Sequence, residues 1–219
     1  VYEVEQKYPL ADVAPVEAAL ARLGATWHAT VEQVDRYFNH PCRDFAATDE
    51  ALRLRRTGAA LAITWKGPRL DATAKTRREL ELPLAEAAVP AAALAEAAVP
   101  AAAPVQAAVP AAAPVQAAVP ATLDSWTELL EALGFRPVRE VAKQRQLATV
   151  AWQGAAIEVA LDHVAGLGNF LELELQADAA GIAVAAARIE SLARELGCTA
   201  AERRSYLEML IAQRGGHEG

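Results

Sequence analysis

Charged side chains fall two or four residues apart, on one face of a strand, in at least five segments of this chain: Glu3, Glu5 and Lys7; Arg53 and Arg55; Glu79 and Glu81; Glu158 and Asp162; Glu172 and Glu174. Between them stand Leu52, Leu54, Leu80, Leu82, Ile157, Val159, Leu161, Leu171, Leu173 and Leu175, with Val4 and Gln6 in the first run. Lys66 and the pair Lys143 and Arg145 sit in similar short runs. Side chains of a β-strand alternate between its faces, so each run lays its charges in one row and its apolar residues in the other. One such strand is explained by an antiparallel sheet with a wet face. Doublets of both signs at the same spacing in many strands point to one shared charged face.

A chain of 219 residues has ample length for a core and allows one large domain or two small ones. The hydrophobic fraction of 53% overstates that core, because much of it is alanine in one segment near the middle. A formal net charge of -7 argues against a general nucleic-acid binder, so any basic site must be local. Cys42 and Cys198 stand alone, without zinc-site spacing or a disulfide framework. With no apolar leader pattern at the start of the sequence, a reducing cytoplasm is the expected location.

The spacing predicts helices over Asp12 to Leu23, with Gly24 as the stop, and over Asp124 to Leu133, stopped by Gly134. A longer helix follows Ile182, Ile189, Leu192 and Leu196, and Thr199 with Glu202 fits a capping box for a last helix through Ile211. Strands are expected at Tyr2 to Lys7, Thr30 to Phe38, Ala51 to Arg56, Ala60 to Lys66, Arg77 to Leu82, Pro137 to Val150 (as one bent strand or two), Ala155 to Val164 and Phe170 to Ala177. The stretch Asn39 to Thr48 reads as a loop. The two halves rhyme: each opens on a charged alternating strand (EVEQK; RELEL), enters a helix ending Leu-Gly, and returns through strands with paired basic residues.

Residues 85–121 interrupt this pattern with a ten-residue repeat of alanine and proline. Proline removes helical hydrogen bonds and Glu86, Glu96, Gln106 and Gln116 recur inside, so the segment is no membrane span. Its small side chains cannot stack into a solenoid core. It reads as an insert at the midpoint of a single domain spanning 1–219, mixing polyproline II with short helical turns.

Eight strands with helices at their junctions can close into a barrel, and the charged row then faces either solvent or the lumen. The apolar rows need cover that the helices supply from outside, which leaves the charges inside. A lumen lined by Lys7, Arg53, Arg55, Lys66, Lys143 and Arg145 suits a polyanion, since guanidinium forks match phosphate oxygens. Clusters of glutamate would repel that anion unless a hard cation such as Mg²⁺ or Mn²⁺ sat between them.

These residues resemble the CYTH domain, or triphosphate tunnel metalloenzyme, family. The resemblance rests on the ExExK of Glu3, Glu5 and Lys7, followed in order by VDRYF, DEALRLRR, TWKGP, RRELEL, AKQR and LDHVAGLGNFLELEL. It is nearest in style to the bacterial class IV adenylate cyclase branch. It implies an α+β fold: an eight-stranded antiparallel closed β-barrel with helices outside. By position it implies that Arg53, Arg55, Lys66, Arg145 and, assisting, Lys143 hold phosphates, and that Glu3, Glu5, Glu172 and Glu174 hold the metal. Lys7 would sit at the reactive end, with Lys7, Glu172 and Glu174 as the catalytic set. Glu79, Glu81 and Asp162 would be further tunnel residues, and Arg204 a basic residue on the closing helix. For Glu158 a structural ion pair and a site role stand level. His28, His40, His163 and His217 share no ligand spacing and read as loop or surface residues.

The expected function is metal-dependent cleavage of a phosphoanhydride bond in a small-molecule triphosphate, inorganic, nucleoside or thiamine. General triphosphatase ranks ahead of class IV adenylate cyclase, and a non-catalytic polyphosphate-binding module is the reading from a different class. No nucleic-acid or membrane partner is expected, and the protein would be a monomer or homodimer.

The repeat yields a first prediction. Its alanines bury little area and its prolines donate no backbone hydrogen bonds, while loop closure costs only about 0.6 kcal/mol more per doubling of loop length. Deleting residues 85–120 and joining the ends with a short Gly/Ser turn should leave Tm and triphosphate turnover largely unchanged. A large loss of both would make the repeat part of the core.

Overall fold

The computed structural model of the protein describes residues 2–69, 77–84 and 121–215. The insert, apart from Ala121, and His217 lie outside them. Thirteen elements follow in order: β1 (Tyr2–Leu10), α1 (Ala14–Arg22), β2 (Thr26–Asn39), α2 (Phe45–Thr48), β3 (Ala51–Thr57), β4 (Ala60–Arg69), β5 (Arg77–Leu84), α3 (Leu123–Ala132), β6 (Arg136–Trp152), β7 (Ala155–Val164), β8 (Gly168–Ala177), α4 (Ile182–Glu195) and α5 (Tyr206–Gly215). All eight strands pair antiparallel in one sheet, in the order β1-β8-β7-β6-β2-β3-β4-β5.

That order makes the rhyme between the halves structural. Exchanging β1 with β5, β2 with β6, β3 with β7 and β4 with β8 reverses the order and leaves every pairing intact, so a pseudo-twofold axis runs between β2 and β6. Each half lends its first strand to the other, since β1 pairs with β8 and β5 with β4. The paired basic residues do not correspond as their spacing suggests: Arg53 and Arg55 lie on the third strand of the first half, Lys143 and Arg145 on the second strand of the other.

The sheet curls into a half-barrel with α1, α3 and α4 outside. It differs from a hydrogen-bonded closed barrel in having β1 and β5 as its edges, with no ladder between them among the described residues. The curl still brings Glu3 of β1 close enough to Lys66 and Glu79 to feel their charges. Register shifts in β2 at Trp27/Thr30 and Tyr37/Phe38 mark bulges that bend its long pairing with β6, a single strand of 17 residues.

Period-two alternation sorts the core. Val4, Ile157, Val159, Leu171 and Leu173 face outward and are buried under α1 and α4, which contribute Leu20, Ile189 and Leu192. Phe38, Leu52 and Leu54 are covered by Phe45 of α2 and Leu130 of α3. Each such side chain contributes about 1.5–3 kcal/mol through burial. Cover is incomplete at the β5 edge, where Leu80 and Leu82 are 48% and 62% exposed instead of packed beneath a helix. At one end of the lumen the inner face itself turns apolar, and Val141, Val164 and Phe170 meet Tyr206, Met209 and Leu210 of α5.

Two helices depart from the sequence reading. The stretch expected as plain loop contains α2, four residues capped by Asp44, whose carboxylate accepts from the Ala46 amide. The last helix starts at Tyr206, and its capping box is Ser205 with Glu208, which bond reciprocally. Glu202, expected to cap, instead donates its amide to the Lys7 carbonyl at 2.7 Å and binds Arg204 through its carboxylate.

Candidate active site

Every lumen-facing residue singled out in the sequence except Asp162 lines one cavity of about 550 Å³: Glu3, Glu5, Lys7, Arg53, Arg55, Lys66, Glu79, Glu81, Lys143, Arg145, Glu172 and Glu174. Asp162 is buried behind Arg145. Glu158 pairs in register with Glu174 but is exposed and outside the cavity, and Arg204 is an exposed partner of Glu202. His28 bonds Thr149 and His163 bonds Asn169 at the surface, while His40 packs against Phe45 and Phe135. None of the three lines the cavity.

Two buried carboxylates organise the cations. Asp35 on β2 faces Arg55 on β3 in direct register and receives its Nε and one terminal nitrogen at 2.6 and 2.7 Å. Asp162 on β7 faces Arg145 on β6 in direct register and receives the same pair of nitrogens at 2.7 and 2.5 Å. Since β2·β3 and β6·β7 are equivalent strand pairs, this is one device used twice. Its signs are reversed, because Asp35 and Arg145 each lie eleven residues beyond the helix-ending Gly24 and Gly134. In both arginines the Nε edge is taken and the other terminal nitrogen is left to reach elsewhere.

Burial alone would push Asp35 up, but the Arg55 hydrogen bonds and the nearby Arg53 charge prevail and hold it well below the ordinary carboxylate range. Arg53 lies 3.6 Å from Asp35 and 3.7 Å from Glu81, and is kept firmly charged by Asp35 against its burial. Thr64 donates to Glu81 at 2.8 Å, and Lys66 binds Glu79 at 2.5 Å. Across the cavity Arg145 also contacts Glu172, and Lys143 sits 3.4 Å from Asp162. Burial and the adjoining Arg145 charge push the Lys143 ammonium down to about 8.

The sequence reading left out Tyr206, which lines the cavity from the first turn of α5. Its hydroxyl donates to Asp162 at 2.9 Å, and its ring lies 4.0 Å from the Lys7 ammonium and 5.1 Å from that of Lys143. Lys7 is only 1% exposed. Asp35 and Tyr37 had a signal, the alternation within VDRYF; Tyr206 had none, because only the fold brings α5 to the lumen.

Glu3, Glu5 and Glu174 form the acidic edge. Burial pushes Glu174 up to about 8, helped by the charges of Glu3, Glu158 and Glu5. Glu3 is raised by burial and by Glu79. Among the described residues no three carboxylate, histidine or cysteine groups converge at coordination distance. The donor chemistry nevertheless fits a hard divalent cation, because these are carboxylate oxygens held together against their own repulsion, and a cation relieves that repulsion.

A carboxyl group raised on folding keeps its proton longer in the folded chain than in the unfolded one. Its stabilising effect is full below the ordinary carboxylate range and is lost as pH climbs to the folded value. The metal-free protein in EDTA should therefore lose Tm as pH rises from 4.5 to about 8. Glu174→Gln should flatten that slope, and Mg²⁺ should restore Tm at pH 8. Equal slopes in wild type and Glu174→Gln would locate the strain elsewhere.

Residues 2–206 match the family model described as the CYTH domain. A Methanocaldococcus jannaschii protein named "Putative adenylate cyclase" is 30% identical over 172 residues, covering 78% of this chain and 75% of that protein. A solved protein of Pyrococcus horikoshii superposes with a TM-score of 0.73 at 33% identity, over 97% of this chain and 99% of its own. A Hippeastrum protein, described as a "Putative adenylyl cyclase" with "a dominant triphophatase activity", is similar in fold alone, with a TM-score of 0.50 and 14% identity over 98% of this chain and 95% of that one. With its eight-stranded curled sheet, its ExExK first strand and a family match over nearly all of its length, the chain belongs to the CYTH domain family.

Proposed function

We propose that the protein is a divalent-metal-dependent enzyme that takes a triphosphate into the lumen and breaks one of its phosphoanhydride bonds by hydrolysis. The observation that carries this reading is the composition of one cavity wall: eleven carboxylates against seven cations among the described residues. A wall of net negative charge rejects a bare polyanion, and only an anion arriving with cations satisfies both signs. When bound, Mg²⁺ or Mn²⁺ held by Glu3, Glu5, Glu172 and Glu174 would supply charge neutralisation and Lewis acidity to the phosphate oxygens.

The protein's own groups do the remaining work. Arg55 and Arg145 are anchored at one edge by Asp35 and Asp162, so their remaining N–H donors are aimed before the ligand arrives. Such preorganised donors stabilise charge that spreads over phosphate oxygens as the bond breaks. Lys66 and Arg53 extend the cationic wall on the β3 and β4 side. Lys143, brought down to about 8, holds a proton that it can give to the departing phosphate oxygen near neutral pH. Lys7, buried against Tyr206, places a second ammonium at the same end of the lumen.

A second reading, cyclisation of ATP with loss of pyrophosphate, is supported by the name of the Methanocaldococcus relative at 30% identity. The two differ in the nucleophile, a water or the ribose hydroxyl.

Incubation with tripolyphosphate or ATP in Mg²⁺ or Mn²⁺, with separation of phosphate, pyrophosphate and cyclic AMP, distinguishes them. Phosphate release from both substrates is the expected result; cyclic AMP and pyrophosphate from ATP alone would establish the cyclase. Binding as tight in EDTA as in Mg²⁺, without product, would leave a polyphosphate-binding module. Arg55→Ala should weaken triphosphate binding, and Glu172→Gln should lower kcat and shift its metal dependence, each by about 2–5 kcal/mol. Wild-type kinetics in both variants would refute the tunnel site.

A further inference from the structure

The cations of the lumen differ in what they are already holding. Arg53, Arg55, Lys66, Lys143 and Arg145 each lie against a carboxylate of the protein itself. Arg77 does not. It opens β5, points into the cavity on the same face as Glu79 and Glu81, is half-buried, and makes no hydrogen bond or ion pair with any described residue. A half-buried guanidinium that pairs with no described carboxylate costs free energy in the folded protein and keeps its N–H donors for a ligand.

Its place along the lumen is set by the strand registers. Lys66 pairs with Glu79 and Thr64 with Glu81, so Arg77 lies one inward-facing position beyond Lys66, toward the rim where β2 ends and β3 begins. That rim, on the β2 to β5 side, is lined by Asn39, Ala46 and Ala51, whereas the β6 to β8 side of the same end is filled by α5. The ladder of cations from Arg55 through Arg53 and Lys66 therefore continues outward to Arg77, along the side of the lumen that stays open.

We propose that Arg77 is a specificity-determining residue that binds the outermost phosphate of the chain, so that the site favours triphosphate over pyrophosphate. This deepens the triphosphate reading above and rests on it. The inner cations share their charge with Asp35, Asp162, Glu79 and Glu81 and serve any phosphate chain that enters. Arg77 gains a partner only when a chain is long enough to reach the rim, and a charge-assisted, two-pronged contact there separates three phosphates from two.

The test uses the full chain in Mg²⁺, with Kd values for inorganic tripolyphosphate and inorganic pyrophosphate obtained from the ligand-induced rise in Tm over a concentration series. Arg77→Ala and Arg77→Gln should raise the Kd for tripolyphosphate at least tenfold and that for pyrophosphate less than twofold, with Arg77→Lys between them and wild type. Arg55→Ala, an inner position, should weaken both ligands. Equal losses for both ligands in Arg77→Ala and Arg77→Gln, or no loss for either, would overturn the proposal while leaving the site intact. If wild type binds no tripolyphosphate, or Arg55→Ala binds it unchanged, the triphosphate reading itself fails and takes this inference with it.

Discussion

Asp35 and Asp162 are the two carboxylates on which the interior depends. Taking an ion from water into a protein costs several kcal/mol after relaxation, and a curled sheet with charges on its inner face incurs that cost many times over. It is offset only where each charge has a partner at hydrogen-bonding distance. Asp35 serves Arg55 and Arg53, while Asp162 serves Arg145, Lys143 and Tyr206. Each carboxylate thus holds two cations, which keeps guanidinium and ammonium groups charged in a space that would otherwise neutralise or expel them. The same contacts fix the direction of each arginine, so the stability of the charged interior and the aim of its guanidinium groups come from one arrangement.

The pseudo-twofold explains how one chain builds that arrangement on both sides. Equivalent strand pairs place a carboxylate opposite a guanidinium in register, and reversing which strand carries which sign keeps the pair while moving its charges around the wall. The exchange of first strands distributes the remaining acids. β1 brings Glu3 and Glu5 beside Glu174 of β8, where they have each other as neighbours, and β5 brings Glu79 and Glu81 beside Lys66 and Arg53, where they are neutralised. Two acidic strands of similar sequence therefore acquire opposite roles. One is a partner for cations already present, and the other is a set of oxygens that burial and, after it, their neighbours' charges make costly to ionise, as the upward shift of Glu174 records.

Much of this was legible in the residues. A period of two survives any tertiary context, so the alternating runs located the strands and sorted charged from apolar faces, and Leu-Gly stops marked the ends of α1 and α3. What the runs do not contain is register. That Asp35 meets Arg55 while Lys66 meets Glu79 depends on pairings across connections longer than a tight turn, and no local pattern encodes them. Local signals also misled where a tertiary contact outcompeted them. Thr199 and Glu202 fit a capping box, but Glu202 is drawn into a bridge with Lys7 and a pairing with Arg204, and the helix begins later at Ser205. The four residues of α2 are too few for a periodic signal, and Leu80 and Leu82 of β5 were assigned a helical cover that no described helix gives them.

The C-terminal segment joins the two parts of the molecule that the sequence leaves separate. Met209 and Leu210 pack on the apolar end of the lumen, which is ordinary burial and would hold α5 in place by itself. Tyr206 adds a polar attachment at the helix's first turn, because its hydroxyl bonds the carboxylate that also anchors Arg145. Its ring in turn lies against Lys7, whose backbone carbonyl accepts from Glu202 just upstream. Detaching α5 would thus deprive Asp162 of a donor and uncover a buried ammonium in a single step. Because losses in one hydrogen-bonded network do not add independently, docking of the last helix and completion of the cationic wall are one cooperative event. No other helix of the described structure reaches the charged face, apart from the single turn of α2 at the rim.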